Sequence, residues 1–326
     1  MDTTSVLKIN NEKGKFVRKY IINLSLALIV IILLVFFASL SKEFFGFNNI
    51  MNILRQTSII AVVAIGMTLV IIGGGIDLSV GSNIAFGGAV GAILITQTGS
   101  NILGILGSLI SCTAIGALNG VAIGRFEINP LMMTLGTMAL ARGLTLGLLH
   151  AVSIIVKDNV FNWLGQGEFG AVPVVVIFLI IVYVLFYFIL SKHSFGLRVY
   201  TVGGNKLAAK ASGINTKNII MYTYVITGLL VGFGSIITVG RLLSAQPWSG
   251  LGLEFDAITA VVIGGTSLKG GEGEILGTFL GAMIVGVFTN GLSFLALSPF
   301  YLYIVRGLLI LAVVYIDNVI HRYRVL

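Results

Sequence analysis

Eight stretches of this chain each hold roughly the 20 consecutive, mostly apolar residues that a helix needs to cross a bilayer: positions 20–40, 50–72, 102–123, 131–149, 172–190, 219–240, 275–292 and 300–316. No water reaches the hydrocarbon core, so backbone placed there must satisfy its own N–H and C=O groups, and a long apolar run does so as a helix. Two shorter or glycine-broken segments, 80–96 and 255–265, complete a set of about ten transmembrane or re-entrant helices. The fold class that follows is an all-α, polytopic integral membrane protein. Composition agrees: 57% of the 326 residues are hydrophobic and 10% are charged, where a soluble domain carries about 45–50% and about 25%. The single cysteine, Cys112, sits in one of the apolar runs and reads as a small packing residue.

The net charge of +8 invites a nucleic-acid reading, but its distribution points to topology. With the N-terminus in the cytoplasm, the inside segments hold Lys8, Lys13, Lys15, Arg18, Lys19, Arg125, Lys192, Arg198, Lys206, Lys210, Lys217, Lys269, Arg322 and Arg324. The outside segments hold only Lys42, Lys157 and Arg241. That asymmetry is the positive-inside signal. The partner it implies is the lipid bilayer, and no nucleic acid is expected. Both termini are then cytoplasmic, with 1–19 and 318–326 as tails, 20–317 as the membrane domain and 191–218 as its longest cytoplasmic loop. The first apolar run exceeds the core of a secretory signal, about 7–15 residues, and no A-x-A site follows it, so it reads as a retained anchor.

Glycine is abundant, at 42 residues, and falls at small-xxx-small spacing in several spans: Gly87/Gly91, Gly116/Gly120/Gly124, Gly143/Gly147, Gly228/Gly232 and Gly277/Gly281. Such pairs let helix backbones approach closely, and packing within one subunit is the expected use. A short internal echo, V-x-I-G-G, opens both VIIGGGIDLSVGS (70–82) and VVIGGTSLKGGEG (261–273). Glycine-interrupted segments in corresponding places mark the solute path of many transporters.

Asp77 lies in GGGIDLSVG, between apolar runs. A carboxylate at membrane depth is costly and faces a bundle interior or water. It reads either as the cap of a helix starting near Leu78, accepting hydrogen bonds from free N–H groups, or as a direct solute contact. Asp256 repeats the argument before AITAVVIGG, and an ion pair between one of these aspartates and Arg142 or Arg306 is expected. In the 191–218 loop, NKLAAKASG reads as a short helix: Asn205 caps it, Lys206, Ala208, Ala209, Lys210 and Ala211 build it, and Gly213 stops it. A helix that short needs something to pack on.

Several chemistries have no support. Gly264–Gly271 contains Lys269 but lacks the Gly-Lys-Ser/Thr end of a phosphate loop. His150, His193 and His321 form no metal set, and no triad or paired carboxylates appear at usable spacing. No cofactor or metal and no catalytic residue is expected.

Three blocks, GMTLVIIGGGIDLSVGS (66–82), VYTVGGNKLAAKASGIN (199–215) and EFDAITAVVIGGTSLKGGEGEILGTFLGA (254–282), resemble the hallmark blocks of ribose-type sugar permeases, in that family's order. These are membrane subunits of bacterial ABC importers, and the resemblance runs from about 44 to 317. It implies a permease homodimer in the bacterial cytoplasmic membrane, fed by an extracytoplasmic sugar-binding protein and driven by a cytoplasmic ATPase. It also implies that 205–213 is the helix that docks in the ATPase. His150-Ala151-Val152 and Asn129-Pro130-Leu131 depart from the family's usual residues at two span ends. A neutral, many-hydroxylled solute needs weak polar contacts along its route, and Asp77, Asn83, Asn119, Thr134, Gln246, Asp256 and Asn290 are the candidates. An ion-coupled secondary transporter is the competing reading; it would need a coupling-ion site and no docking helix.

Overall fold

The computed structural model describes residues 3–157 and 160–295 with scattered positions between 301 and 315, and gives backbone alone for 3–19. The expected span at 300–316 lies largely outside the described residues, as do Arg306 and the tail 318–326. The elements run α1 (Thr3–Leu40), a 3-10 turn (Lys42–Phe45), α2 (Phe47–Ile72), α3 (Val80–Thr98), α4 (Asn101–Gly124), α5 (Pro130–Leu149), β1 (Ile154–Ile155), α6 (Val160–Gln166), β2 (Glu168–Phe169), β3 (Val172–Pro173), α7 (Val174–Ser191), α8 (Ser194–Gly204), α9 (Lys206–Ala211), α10 (Thr216–Leu242), β4 (Ser244–Ala245), α11 (Leu253–Ile263) and α12 (Ile275–Phe294). Among the described residues, eight helices are long and apolar enough to cross a membrane: Tyr20–Leu40 of α1, then α2, α3, α4, α5, α7, α10 and α12.

Local chemistry sets the boundaries. Asn129 Oδ1 accepts the N–H groups of Leu131 and Met132, and Pro130, which has no N–H to lose, opens α5. Ser100 caps α4 through the N–H of Leu103, and Gly99, at φ +69°, turns the chain out of α3. The V-x-I-G-G echo proves to be one helix stop used twice. Gly74 (φ +84°) and Gly265 (φ +88°) leave α2 and α11 in the left-handed region, and the next N–H returns to Val70 O (2.9 Å) and to Val261 O (3.2 Å).

Two expected segments are redrawn. Positions 80–96 belong to an unbroken helix of 19 residues, α3, and the interruption lies in front of it. The 255–265 segment is part of α11, whose 11 residues span about 16 Å at 1.5 Å per residue, half of a hydrocarbon core of about 30 Å. It is a half-helix.

α2 forms the axis of the molecule: 89% of its most apolar stretch is buried, against α10, α12, α11 and α7. α10 lies along α4 at glycine contacts. A Cβ on Gly116 would strike Tyr224 O and Gly228 Cα, and one on Gly120 would strike Met221 O. The glycine pairs therefore pack helices within the chain, with Gly143/Gly147 of α5 the exception, since a Cβ on either would meet nothing within 4 Å among the described residues. α1 runs alongside α12 in the same direction: Leu26 and Val30 cluster with Leu280 and Ile284, Phe37 and Phe44 with Val287 and Phe294. The Tyr20 end of α1 thus shares one end of the bundle with the start of α12, with α8, which meets the loop before α12, and with α9, which follows α8 directly.

Candidate functional site

The break between α2 and α3 sits inside the bundle. Asp77 Oδ1 accepts the Ser79 N–H (2.9 Å) and Oγ–H (2.6 Å), and Asn119 Nδ2 reaches it at 3.5 Å. Asn119 also donates to Ser79 Oγ (3.0 Å), and its Oδ1 accepts from Thr137 of α5 (2.8 Å). Tyr224 Oη of α10 donates to Ile76 O at 3.2 Å. α3 starts at Val80, two residues later than the sequence suggests, and the Asp77 carboxylate holds the turn leading into it. Asp77 and Asn119, expected separately, are joined in one buried network; Ser79 and Thr137 complete it.

α11 begins against that same break. Gly81, in the first turn of α3, leaves no space for a Cβ beside Glu254 Oε2 and Gly250 O. Glu254 and Asp256 occupy the first turn of α11 and are buried, at 5% and 7% exposure. Among the described residues three carboxylates are buried: Glu254 and Asp256 lie at a helix N-terminus, where free N–H groups and the helix dipole favour negative charge, and Asp77, 2% exposed, lies in the turn two residues before the N-cap of α3. Glu254 was not singled out from the sequence, although an acid before an apolar run is a start signal.

Arg142 of α5 corrects an expectation. It donates to Pro247 O and, at 3.1 Å, to Ser249 O, while Asp77 is held by Ser79 and Asn119 instead. The guanidinium straps the 244–252 loop to α5 through these two backbone carbonyls. Gln246 and Asp256 meet in a cavity of about 200 Å³ together with Gln56, Thr238, Arg241 and Ser249. Antiparallel pairing of β1 with β4 and the Arg55–Glu168 ion pair gather the remaining loops at this end.

The other three path candidates pack helices. Asn83 Nδ2 donates to Cys112 O (3.1 Å), and Cys112 Sγ returns a bond to Asn83 O (3.3 Å). Thr134 bonds Pro130 O of its own helix at 2.8 Å. Asn290 Nδ2 donates to Asn49 Oδ1 at 3.2 Å. The Oδ1 atoms of Asn83 and Asn290 are buried without a partner.

At the α8–α9 end, Asn205 Oδ1 accepts the Ala208 N–H (2.9 Å). Gly213 (φ +80°) ends the helix, with Gly213 N bonded to Lys210 O and Ile214 N to Ala209 O, the double closure of a left-handed C-terminal cap. Ala209 is wholly buried in the chain's own core, so of the residues expected in the docking helix this one faces inward. A helix of six residues needs an anchor, and Ala209 is that anchor. The outward apolar residue is Leu207, 82% exposed, beside Lys206, which pairs with Glu127 at 3.4 Å. In α8, burial and, second, the charge of Glu274 push the Tyr200 hydroxyl up to about 12, so at neutral pH it remains a donor to Gly273 O (2.8 Å).

Residues 49–314 match the family model described as branched-chain amino acid transport system / permease component. The chain is 41% identical over 297 residues to the ribose import permease protein of Escherichia coli K12, covering 90% of this chain and 92% of that one. The Bacillus subtilis ribose import permease protein is 39% identical over 289 residues, covering 88% and 90%. An L-arabinose ABC transporter permease protein of Azospirillum brasilense is 37% identical over 293 residues, covering 89% and 86%. No solved structure matches the chain.

Proposed function

Because the chain belongs to the family of branched-chain amino acid transport system permease components, it is the membrane permease subunit of an ABC importer, and we propose that its solute is ribose or a closely related monosaccharide. The observation that carries the sugar is similarity along nearly the whole length to permeases named for ribose, L-arabinose and D-allose. A permease of this kind hydrolyses no ATP itself, so a separate ATPase chain supplies the energy and an extracytoplasmic binding protein delivers the sugar. We read α9 as the ATPase-coupling helix, presenting Leu207 between Lys206 and Ala208, with Lys210, Ala211 and Gly213 completing its exposed surface. The shared end of α1 and α8–α9 supports a cytoplasmic position for both, in line with the basic residues collected there.

The opposite end then faces the binding protein, in the cytoplasmic membrane of a bacterium, with two copies of the permease per transporter. In this reading the cavity of Gln246 and Asp256 receives the sugar at the outer mouth. The Asp77–Asn119 network supports the broken helix beside the route, and Asn83, Thr134 and Asn290 contribute once helices separate. The test is uptake of labelled ribose by proteoliposomes holding permease, ATPase and binding protein, with arabinose and allose as competitors. Uptake that needs ATP and both partners is the expected result. Uptake that persists without the ATPase and follows an ion gradient overturns the reading in favour of secondary transport.

A further inference from the structure

Three glycine blocks that are far apart in the sequence close on one another where α8 meets the bundle. Ile72, the last residue of α2, gives its carbonyl oxygen to the Gly271 N–H at 2.8 Å. Gly203 of α8 lies against that same carbonyl: a Cβ there would fall far inside van der Waals contact with Ile72 O and 2.8 Å from Gly271 N. Gly270 (φ +84°) and Gly271 (φ +76°) adopt the left-handed conformation that carries the loop past Gly203, and Gly74 (φ +84°) completes the ring. Beside it runs the Tyr200 bond to Gly273 O. α8, which leads directly into α9, is thus joined to the core backbone to backbone, at the residue where α2 stops.

We propose that this clasp transmits movement of α9 to the break between α2 and α3, and that Gly203 is the positioning residue for it. The proposal rests on the reading of α9 as the coupling helix. A cushion of side chains absorbs a displacement by changing rotamers, whereas two backbones in contact have no such freedom and move together. The route from the clasp is short and continuous. Ile72 leads through Gly73–Gly75 to Ile76, held by Tyr224, and then to Asp77, which holds Ser79 and Asn119. The N–H groups of Gly73, Gly74 and Gly75 are bonded back to Leu69 O, Ile71 O and Val70 O, so a shift of α8 reaches the start of α3 through hydrogen-bonded backbone.

The experiment compares Gly203→Ala, Gly204→Ala and Tyr200→Phe in the complete transporter, with ATP hydrolysis and sugar uptake measured together. A Cβ on Gly204 meets nothing closer than Gly271 Cα at 3.9 Å, so that variant behaves as wild type. Gly203→Ala retains the ATPase and hydrolyses ATP, but sugar moved per ATP falls by about tenfold or more, within the range of site-to-site coupling. Tyr200→Phe, which removes one bond and adds no atom, lowers the same ratio severalfold. A residue with a merely structural role alters yield and leaves this ratio unchanged. Equal ratios for Gly203→Ala and Gly204→Ala overturn the proposal, as does a wild-type ratio for Tyr200→Phe. If Gly203→Ala fails to reach the membrane, the Tyr200→Phe ratio decides. Leu207→Asp separates the underlying reading: if its complex retains the ATPase at wild-type yield, α9 is not the coupling helix, whatever the ratios.

Discussion

Asp77 Oδ1 gathers three donors at a buried position, so its substitutions separate acceptor from charge. Asp77→Asn keeps an oxygen for Ser79 and Asn119, and uptake is expected to stay within severalfold of wild type. Asp77→Ala takes the acceptor away from the Ser79 N–H and Oγ–H, which costs about 1–3 kcal/mol. Thermal unfolding of the detergent-solubilised protein reads that difference, and equal loss of uptake in both variants would show that the charge itself is required. Gly81 makes a harsher case. A Cβ there collides with the Glu254 carboxylate and with the backbone oxygen of Gly250, so Gly81→Ala should lose about 1–3 kcal/mol to overpacking. Membrane accumulation at wild-type thermal stability would contradict the tight contact between the starts of α3 and α11.

Helix α9 shows how one short element divides its residues between two tasks. Ala209 faces the core and Leu207 faces out, so their variants should fail differently. Ala209→Glu buries an unpaired carboxylate and lowers the stability of the permease alone by several kcal/mol, measured as the unfolding temperature without any partner. Leu207→Asp leaves that temperature unchanged and abolishes co-purification of the ATPase. The reverse pattern would place the docking face on the other side of α9. The 244–252 loop is a second such element, held by Arg142 through two carbonyls. Arg142→Gln has too short a reach to span both, and cleavage of the purified protein by chymotrypsin at the exposed Trp248 and Leu251 of this loop should rise.

At the scale of the molecule, the testable quantity is orientation. Cys112 is wholly buried and bonded to α3, so a Cys112→Ala background gives a clean host for single-cysteine labelling. Ser153 and Ser212 are both exposed and lie at opposite ends of the bundle. A membrane-impermeant maleimide should label Ser153→Cys in intact cells and Ser212→Cys only after permeabilisation. Labelling of Ser212→Cys from outside would invert the molecule and remove α9 from any cytoplasmic partner.

Run length alone determined that this chain is a helical membrane protein, because an apolar backbone in hydrocarbon has few ways to satisfy its own polar groups. Local chemistry determined the helix ends as well: Asn129-Pro130, Ser100, Asn205 and Gly213 act through neighbours within a few residues, so their roles are written in adjacent letters. Pairings across the fold were decided only by the tertiary structure. The periodicity of six residues assigns Ala209 and Leu207 to different sides of α9, but only the core that receives the helix decides which side is inside. The bonding partners of Arg142 are carbonyls of Pro247 and Ser249, groups that every residue carries and no sequence motif marks. The glycines of 73–75, 203–204 and 270–271 announce close approach without naming what approaches. Their meeting at Ile72 depends on how α2, α8 and the loop before α12 pack, and packing is a property of surfaces brought together by the whole chain.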